Sequence, residues 1–236
     1  MTQTSQKSFG AITQYRIQSL VKRPWVPYVF PFICFMGLTE TARFFPAGAH
    51  FLYIFKTIMV GMMLWFWRKA YASDLVLKLK PVGYLTAVVV GLFVLFVWVW
   101  LENILPQHGV DAAFNPYSFN WPPVAVSLLI AVRLIGAVVV VPIMEELFWR
   151  SFLLRYIINP DFNKVALGTF SWFSFAAVVI LFGVEHHRVI QGMIAGVIYT
   201  ILLIRQKNLR GCIIAHGVTN LGLGIYVLAT QSWEFW

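Results

Sequence analysis

The sequence predicts an all-α protein that crosses a membrane with seven or eight helices, and three observations support this fold class. Of the 236 residues, 60% are hydrophobic and only 11% are charged, whereas about 25% of the residues of a soluble globular domain are charged. The mean hydropathy is +0.76. The apolar residues form segments close to the length of about 20 residues that a helix needs to cross a bilayer. The chain is therefore predicted to be an integral membrane protein.

Seven apolar segments follow one another along the chain, and each is predicted to be one spanning helix. They are 26–42, 51–67, 82–101, 122–142, 165–184, 189–204 and 211–229. A further short apolar helix at 145–158 either spans separately or continues the fourth helix through a kink at Pro142, because proline interrupts helical hydrogen bonding. No polar linker divides the segments, so one membrane domain, 26–229, is expected between the tails 1–25 and 230–236.

The basic residues indicate an orientation. Lys and Arg in short loops are retained on the cytoplasmic side of a membrane. With seven alternating spans, all four basic groups fall on one side; they lie at 1–25, 68–80, 150–164 and 205–210. The 102–123 loop and the C-terminal QSWEFW contain no Lys or Arg, so we expect both outside and the N-terminus in the cytoplasm. The net charge is +9, but the Lys and Arg residues are scattered singly or in pairs between apolar segments and form no stripe, which argues against nucleic-acid binding.

Two adjacent glutamates, Glu145 and Glu146, follow an apolar run, and Arg150 comes four residues after the second. On a helix, Glu146 and Arg150 share a face and can form an ion pair, while Glu145 points about 100° away. One carboxylate would be neutralised and the other left available. These glutamates could also simply mark a helix start at the membrane surface, where negative charge is favoured. An acidic residue in a membrane segment is otherwise a functional-site hypothesis.

Two further stretches bring polar residues into apolar helices. ILFGVEHHR, at 180–188, contains Phe182, His186 and His187, and IIAHGVTNLG, at 213–222, places His216 and Asn220 on one helix face. A single histidine of this kind is more often a hydrogen-bonded core residue than a ligand or catalyst. Polar groups from three separate helices favour a functional site.

The three stretches together resemble the signature of the CAAX protease and bacteriocin-processing family, which includes the eukaryotic CAAX prenyl endoprotease. The signature positions are Glu145, Glu146 and Arg150, then Phe182 and His186, then His216 and Asn220. The resemblance covers the motif-bearing region 122–229, and the N-terminal half is similar to the bacterial branch of the family. It implies an intramembrane endopeptidase in a bacterial inner membrane, acting on a peptide or a membrane-tethered protein.

The resemblance also implies roles for these residues. Glu145 and His186 would activate a water molecule, and His216 and Asn220 would stabilise the oxyanion. The chemistry suits the residue types, since a carboxylate in a partly dry site can act as a base, and imidazole and amide groups can donate hydrogen bonds to a developing oxyanion. Glu146, Arg150 and Phe182 would be supporting residues, and no cofactor is expected. The spacing of Phe182 selects His186 over His187, although His187 stays an alternative.

Two other classes of function compete with this hypothesis. A glutamate and two histidines from three helices could hold a catalytic zinc ion with one position open for water. The chain lacks the His-Glu-x-x-His spacing of common zinc proteases, so zinc ranks second. A non-catalytic scaffold or immunity protein is the third alternative. Transporters often contain two interrupted repeats, and this chain shows none.

Strict counting of the spans conflicts with the motifs. It places Glu145 near the cytoplasmic end of the fourth helix and His186 near the outer end of the fifth. The two side chains can meet only if the fifth helix is short, tilted or broken near Gly183, or if 145–158 forms its own span.

Overall fold

A computed structural model describes residues 23–45, 48–75, 78–105, 114–118 and 121–236. Eight α-helices and no strands are found within these residues, which confirms the predicted all-α fold class. The predicted tail 1–25 lies almost wholly outside the described residues. The helices are α1 (Val26–Phe44), α2 (Ala49–Phe66), α3 (Ala72–Leu75), α4 (Pro81–Glu102), α5 (Pro123–Tyr156), α6 (Trp172–Glu185), α7 (Val189–Gln206) and α8 (Leu209–Thr230).

Five helices in the described part of the chain are long and apolar enough to cross a membrane: α2, α4, α5, α7 and α8. Helix α1 has 19 residues and coincides with the first predicted segment, 26–42, except for two more residues at its end. Helix α6 is also apolar but shorter, with 14 residues. The seven predicted segments therefore correspond to seven of the helices, and the short α3 is an addition.

Helix α5 joins the fourth predicted segment to the 145–158 helix in one element of 34 residues. The sequence left open whether 145–158 spans separately, and the structure shows that it continues through Pro142. The turns Gly136–Val140 and Leu147–Leu153 are π-helical. Proline lacks an N–H and clashes with the carbonyl four residues earlier in a regular α-helix. Val138, whose carbonyl would meet this clash, lies within the wider π-helical turn that precedes Pro142.

The predicted fifth span, 165–184, is wrong at its beginning, because the helix starts only at Trp172. Gly168 has a positive φ of 74°, and a Cβ at this position would lie 2.8 Å from the carbonyl oxygen of Leu203. The chain therefore turns against α7 before the helix begins. At about 1.5 Å per residue, α6 is roughly 21 Å long, which is short of the ~30 Å hydrocarbon core.

The loop after α4 and the C-terminus meet at one end of the molecule. Phe114 donates its backbone N–H to the carbonyl oxygen of Trp236 at 3.1 Å, and the rings of Tyr117 and Trp233 lie 5.7 Å apart. The sequence predicted that these two regions share a side of the membrane, and their contact places them together.

Three of the four basic groups also contact one another. Arg155 pairs with Asp74 at 2.9 Å, which joins the 150–164 and 68–80 groups. Arg210 donates to the carbonyl oxygen of Leu75 at 2.6 Å, which adds the 205–210 group. These groups therefore lie together, as predicted, while the group at 1–25 falls largely outside the described residues.

Close packing of α4 against α8 fixes the position of the third motif. Gly91 of α4 lies against Ala215 and Val218 of α8, and the hydroxyl of Thr219 donates to the carbonyl oxygen of Gly91 at 2.8 Å. Small residues allow helix backbones to approach closely in membranes. This contact holds the part of α8 that carries His216.

Candidate active site

Glu146 and Arg150 form the ion pair that their spacing predicted. Arg150 Nη1 lies 3.2 Å from Glu146 Oε1, and both side chains are fully buried. The guanidinium of Arg150 also lies 4.1 Å from the ring centroid of Phe182 on α6. One buried cation thus neutralises Glu146 and packs against the second motif, because a guanidinium over an aromatic face is favourable.

His216 connects the third motif to both glutamates. Its Nδ1 lies 3.0 Å from Glu146 Oε1, and its Nε2 lies 4.0 Å from Glu145 Oε2. The ring is stacked on Tyr199 of α7, with the centroids 5.3 Å apart. Since a carboxylate accepts hydrogen bonds, Nδ1–H donates to Glu146, and Nε2 is the atom turned toward Glu145.

Glu145 is buried, and its Oε2 has no hydrogen-bond partner among the described residues. A buried carboxylate oxygen without a partner is costly in a protein interior. Functional sites are where such a cost is retained. Glu146 Oε2 also has no described hydrogen-bond partner, but Glu146 Oε1 is bound by Arg150 and His216. Of the two glutamates, Glu145 is therefore the one outside the ion pair, and its role in the chemistry stays a prediction.

His186 follows the last residue of α6 and packs beside Phe182. Its Nδ1 lies 2.7 Å from the carbonyl oxygen of Phe182, and the two rings are 4.7 Å apart. Because a carbonyl oxygen can only accept, Nδ1 carries the proton and Nε2 of the neutral ring is left as an acceptor. Phe182 also contacts the ring of His216 at 6.3 Å, so it lies between the two histidines.

His187, the alternative to His186, is directed elsewhere. Its Nε2 lies 3.1 Å from Arg43 Nη2 of α1, at an exposed position. The structure therefore places His186, and not His187, beside Phe182. The short α6 ends beside α5, where Trp149 Nε1 donates to Glu185 Oε2 at 2.9 Å. This brings the second motif to the helix that carries Glu145, although none of the described contacts joins Glu145 to His186 directly.

Asn220 lies one turn after His216 and is bound to the backbone of α5. Its Nδ2 donates to the carbonyl oxygen of Ala137 at 2.7 Å, within the π-helical turn Gly136–Val140. None of the described hydrogen bonds joins Asn220 to Glu145 or His186. An amide NH₂ group has two hydrogens, so one N–H of Asn220 remains after this contact.

The structure adds residues that motif reasoning did not assign. Glu185 accepts from Trp149, and Trp98 of α4 lies 5.7 Å from the His186 ring. The only sequence signal for Glu185 is its position directly before His186. Trp98 and Tyr199 come from helices without a motif, so no sequence pattern identifies them.

The zinc alternative can be compared with the observed geometry. Within the described part of the chain, no group of three or more His, Cys, Asp and Glu side chains is arranged to hold a metal ion. Asn220, which an oxyanion site would use, is a poor zinc ligand.

Comparison with known proteins identifies one related family. The Type II CAAX prenyl endopeptidase Rce1-like family matches residues 127–222, which lie inside the motif-bearing region 122–229 and cover less than half of the chain. The match confirms the resemblance to the CAAX protease and bacteriocin-processing family. It supports a membrane endopeptidase at the level of the family. No curated protein and no solved structure matches the chain.

Proposed function

We propose that this chain, which is similar to the Type II CAAX prenyl endopeptidase Rce1-like family over residues 127–222, is an intramembrane endopeptidase. It cleaves a peptide, or the C-terminus of a membrane-tethered protein, with a water molecule activated by Glu145 and His186. The single observation that carries this proposal is the buried Glu145 Oε2, which has no described hydrogen-bond partner and lies 4.0 Å from His216 Nε2.

The reaction begins with a water molecule between Glu145 and Nε2 of His186. Glu145 takes a proton from the water while the water oxygen bonds to the scissile carbonyl carbon, which produces a tetrahedral oxyanion. The C–N bond then breaks, and the proton held by Glu145 passes to the departing amine. The products are a carboxylic acid and an amine, so the atoms of one water molecule are consumed.

His216 and Asn220 stabilise the oxyanion in this proposal. His216 Nδ1–H is committed to Glu146, so Nε2 can donate to an oxyanion only when the ring carries a second proton. Asn220 contributes the N–H that its contact with Ala137 leaves available. Arg150 holds Glu146 in place and does not touch the substrate.

An apolar groove supports access for a substrate from the lipid. It has a volume of about 310 Å³ and lies between α5 and α8. Its lining includes Ile143 of α5 and Gly217 of α8, which are close in sequence to Glu145 and His216. Apolar side chains of a membrane-bound substrate segment can pack against this lining. We infer a location in the bacterial cytoplasmic membrane, with the basic groups facing the cytoplasm.

The test is peptide cleavage by purified protein in liposomes, with membrane-anchored fluorogenic peptides in prenylated and unprenylated forms. Glu145→Gln keeps the size of the side chain and removes the base, so cleavage should fall by about 10²–10⁴-fold. Glu234→Gln, at an exposed position near the C-terminus, is the matched control and should cleave as the wild type does. Equal cleavage by Glu145→Gln would refute the role of Glu145. Folded wild-type protein that cleaves no peptide of either set would favour a scaffold.

A further inference from the structure

A second group of buried polar side chains lies between α1, α2 and α5, away from the candidate active site. It consists of Tyr53, Lys56 and Thr57 of α2 and Arg133 of α5, and we call it the cation cluster. Arg133 precedes Glu145 by twelve residues, which is about 18 Å along the helix. The proposed peptidase chemistry uses none of these four residues.

Aromatic rings surround the guanidinium of Arg133. Its Cζ lies 4.3 Å from the ring centroid of Tyr53, 4.6 Å from that of Phe114 and 5.7 Å from that of Trp236. The Nε atom is buried and has no hydrogen-bond partner among the described residues. Aromatic faces offset part of the cost of burying a cation. They cannot, however, accept the hydrogen bonds of the guanidinium N–H groups, which point outward in the plane of the guanidinium.

Lys56 is a second buried cation of the cluster, with 6% of its surface exposed. Its Nζ donates to the hydroxyl of Thr39 at 2.6 Å and lies 5.1 Å from the ring centroid of Tyr53. Neither Lys56 nor Arg133 forms an ion pair with an acidic residue in the described part of the chain. Two buried cations in membrane-spanning helices without an acidic partner are expensive and mark a functional site by default.

Thr57 adds an unpartnered hydroxyl to the cluster. The residue is 4% exposed, and its buried Oγ1 has no hydrogen-bond partner among the described residues. A Cβ at Gly136, three residues after Arg133, would lie 2.9 Å from Thr57 Oγ1 and 2.5 Å from the hydroxyl of Tyr53. The two hydroxyls of α2 therefore converge on the same turn of α5 as the guanidinium.

We propose that the cation cluster binds the phosphate group of an anionic phospholipid. A phosphate has the charge to neutralise both cations and enough acceptor oxygens for Arg133, Lys56 and Thr57, and guanidinium groups bind phosphate through paired hydrogen bonds. This is a binding site separate from the proposed peptidase site.

The surroundings favour a lipid as the source of the phosphate. The cluster lies beneath Phe114 and Trp236, at the end of the molecule where the loop after α4 meets the C-terminus. Aromatic residues of this kind gather at the level of lipid headgroups. Exposed apolar residues, Phe55 on α2 and Ile135 on α5, lie close in sequence to the cluster and can contact acyl chains.

The experiment measures lipid binding to the purified full chain by native mass spectrometry during titration with phosphatidylglycerol or phosphatidylcholine. We expect the wild type to bind one phosphatidylglycerol at least tenfold more tightly than phosphatidylcholine, and Arg133→Gln to lose that preference. Thr57→Val removes only the hydroxyl in a side chain of the same shape and should weaken binding several-fold even if Arg133→Gln fails to fold. The matched control is Arg68→Gln. Arg68 is an exposed arginine whose Cζ lies 4.4 Å from the ring centroid of Trp65.

Competition distinguishes the possible sources of the anion. Inorganic phosphate that displaces phosphatidylglycerol at millimolar concentration would confirm recognition of the phosphate group itself. A peptide with a free C-terminal carboxylate that binds through Arg133, while its amide and phosphatidylglycerol do not, would overturn the lipid proposal in favour of a peptide. Unchanged preference for phosphatidylglycerol in both Arg133→Gln and Thr57→Val would refute the site.

Discussion

Arg150 illustrates how one side chain can support a site without taking part in its chemistry. It neutralises Glu146 at 3.2 Å, and Glu146 in turn holds His216 at 3.0 Å. Removing one member of a buried ion pair leaves the other charge unpaired, which costs about 3–5 kcal/mol. We expect Arg150→Ala to lower the free energy of unfolding by about that amount and to reduce activity as well.

Denaturant titration of the purified Arg150→Ala variant in mixed micelles measures its free energy of unfolding and checks this expectation. Arg68→Ala is the control, since Arg68 is exposed and should change stability by less than about 1 kcal/mol. A variant at Arg150 that is as stable as the wild type but inactive would assign Arg150 to the chemistry.

The candidate site is also expected to work without a tightly bound transition metal. Glu145, His216 and Asn220 offer one carboxylate, one imidazole and one amide, and an amide serves better as a hydrogen-bond donor than as a zinc ligand. Activity in liposomes should be unchanged after dialysis against a chelator, and elemental analysis should find well under one zinc per chain. Loss of activity to the chelator with recovery on adding zinc would contradict this.

At the level of residues, the sequence could predict one contact of the candidate site but not the others. The i, i+4 spacing of Glu146 and Arg150 is local, so their ion pair followed from helix geometry. The contact between Asn220 and Ala137 depends on a π-helical turn in a different helix. The spacing of the third motif does not predict this contact. Trp98 and Tyr199 join the site through tertiary packing alone.

The helices α4 and α8 depend on glycine for their close approach. A Cβ at Gly91 would lie 2.8 Å from Cβ of Val218 and would also press on the carbonyl oxygen of Ala215. Inserting a methyl group into such a contact costs about 1–3 kcal/mol. Gly91→Ala should therefore destabilise the protein and, by displacing α8 and His216, lower activity.

Gly37→Ala is the matched control for this prediction. Gly37 lies within α1, and no atom stands within 4 Å of a Cβ at this position. Alanine favours the helix by up to about 1 kcal/mol over glycine, so this variant should be as stable as the wild type or slightly more stable. Thermal unfolding of both variants in one detergent measures the difference. Equal stability of the two variants would show that α4 and α8 have room to separate.

The elements themselves were largely predictable, because apolar segments near 20 residues define membrane helices. Prediction failed where the backbone departs from a regular helix. The helical pattern of 165–184 gave no sign that the turn at Gly168 delays α6 until Trp172. The same limit applied to Pro142, where hydropathy alone could not decide whether 145–158 spans separately or continues the fourth helix.

For the whole molecule, the arrangement of loops agrees with the charge pattern. The loop containing Phe114 meets Trp236 at one end, and Arg155 and Arg210 are bound to the segment around Asp74 and Leu75. The grouping of the loops is therefore fixed by contacts among the described residues. These contacts do not determine which end faces the cytoplasm, and the positive-inside rule predicts that it is the basic end.

This orientation predicts that the candidate site receives its substrate from the cytoplasmic side or the inner leaflet. The basic segment 205–210 precedes His216 by only a few residues, and Arg150 and Arg155 follow Glu145 within α5. A single cysteine introduced at Lys207, which is exposed, should react with a membrane-impermeant maleimide only after the membrane is opened. A cysteine introduced at the exposed Gln231 is the internal control and should react in intact cells, because α8 carries the chain across the membrane between the two positions. Labelling of position 207 in intact cells, with position 231 protected, would reverse the orientation and the side from which the substrate arrives.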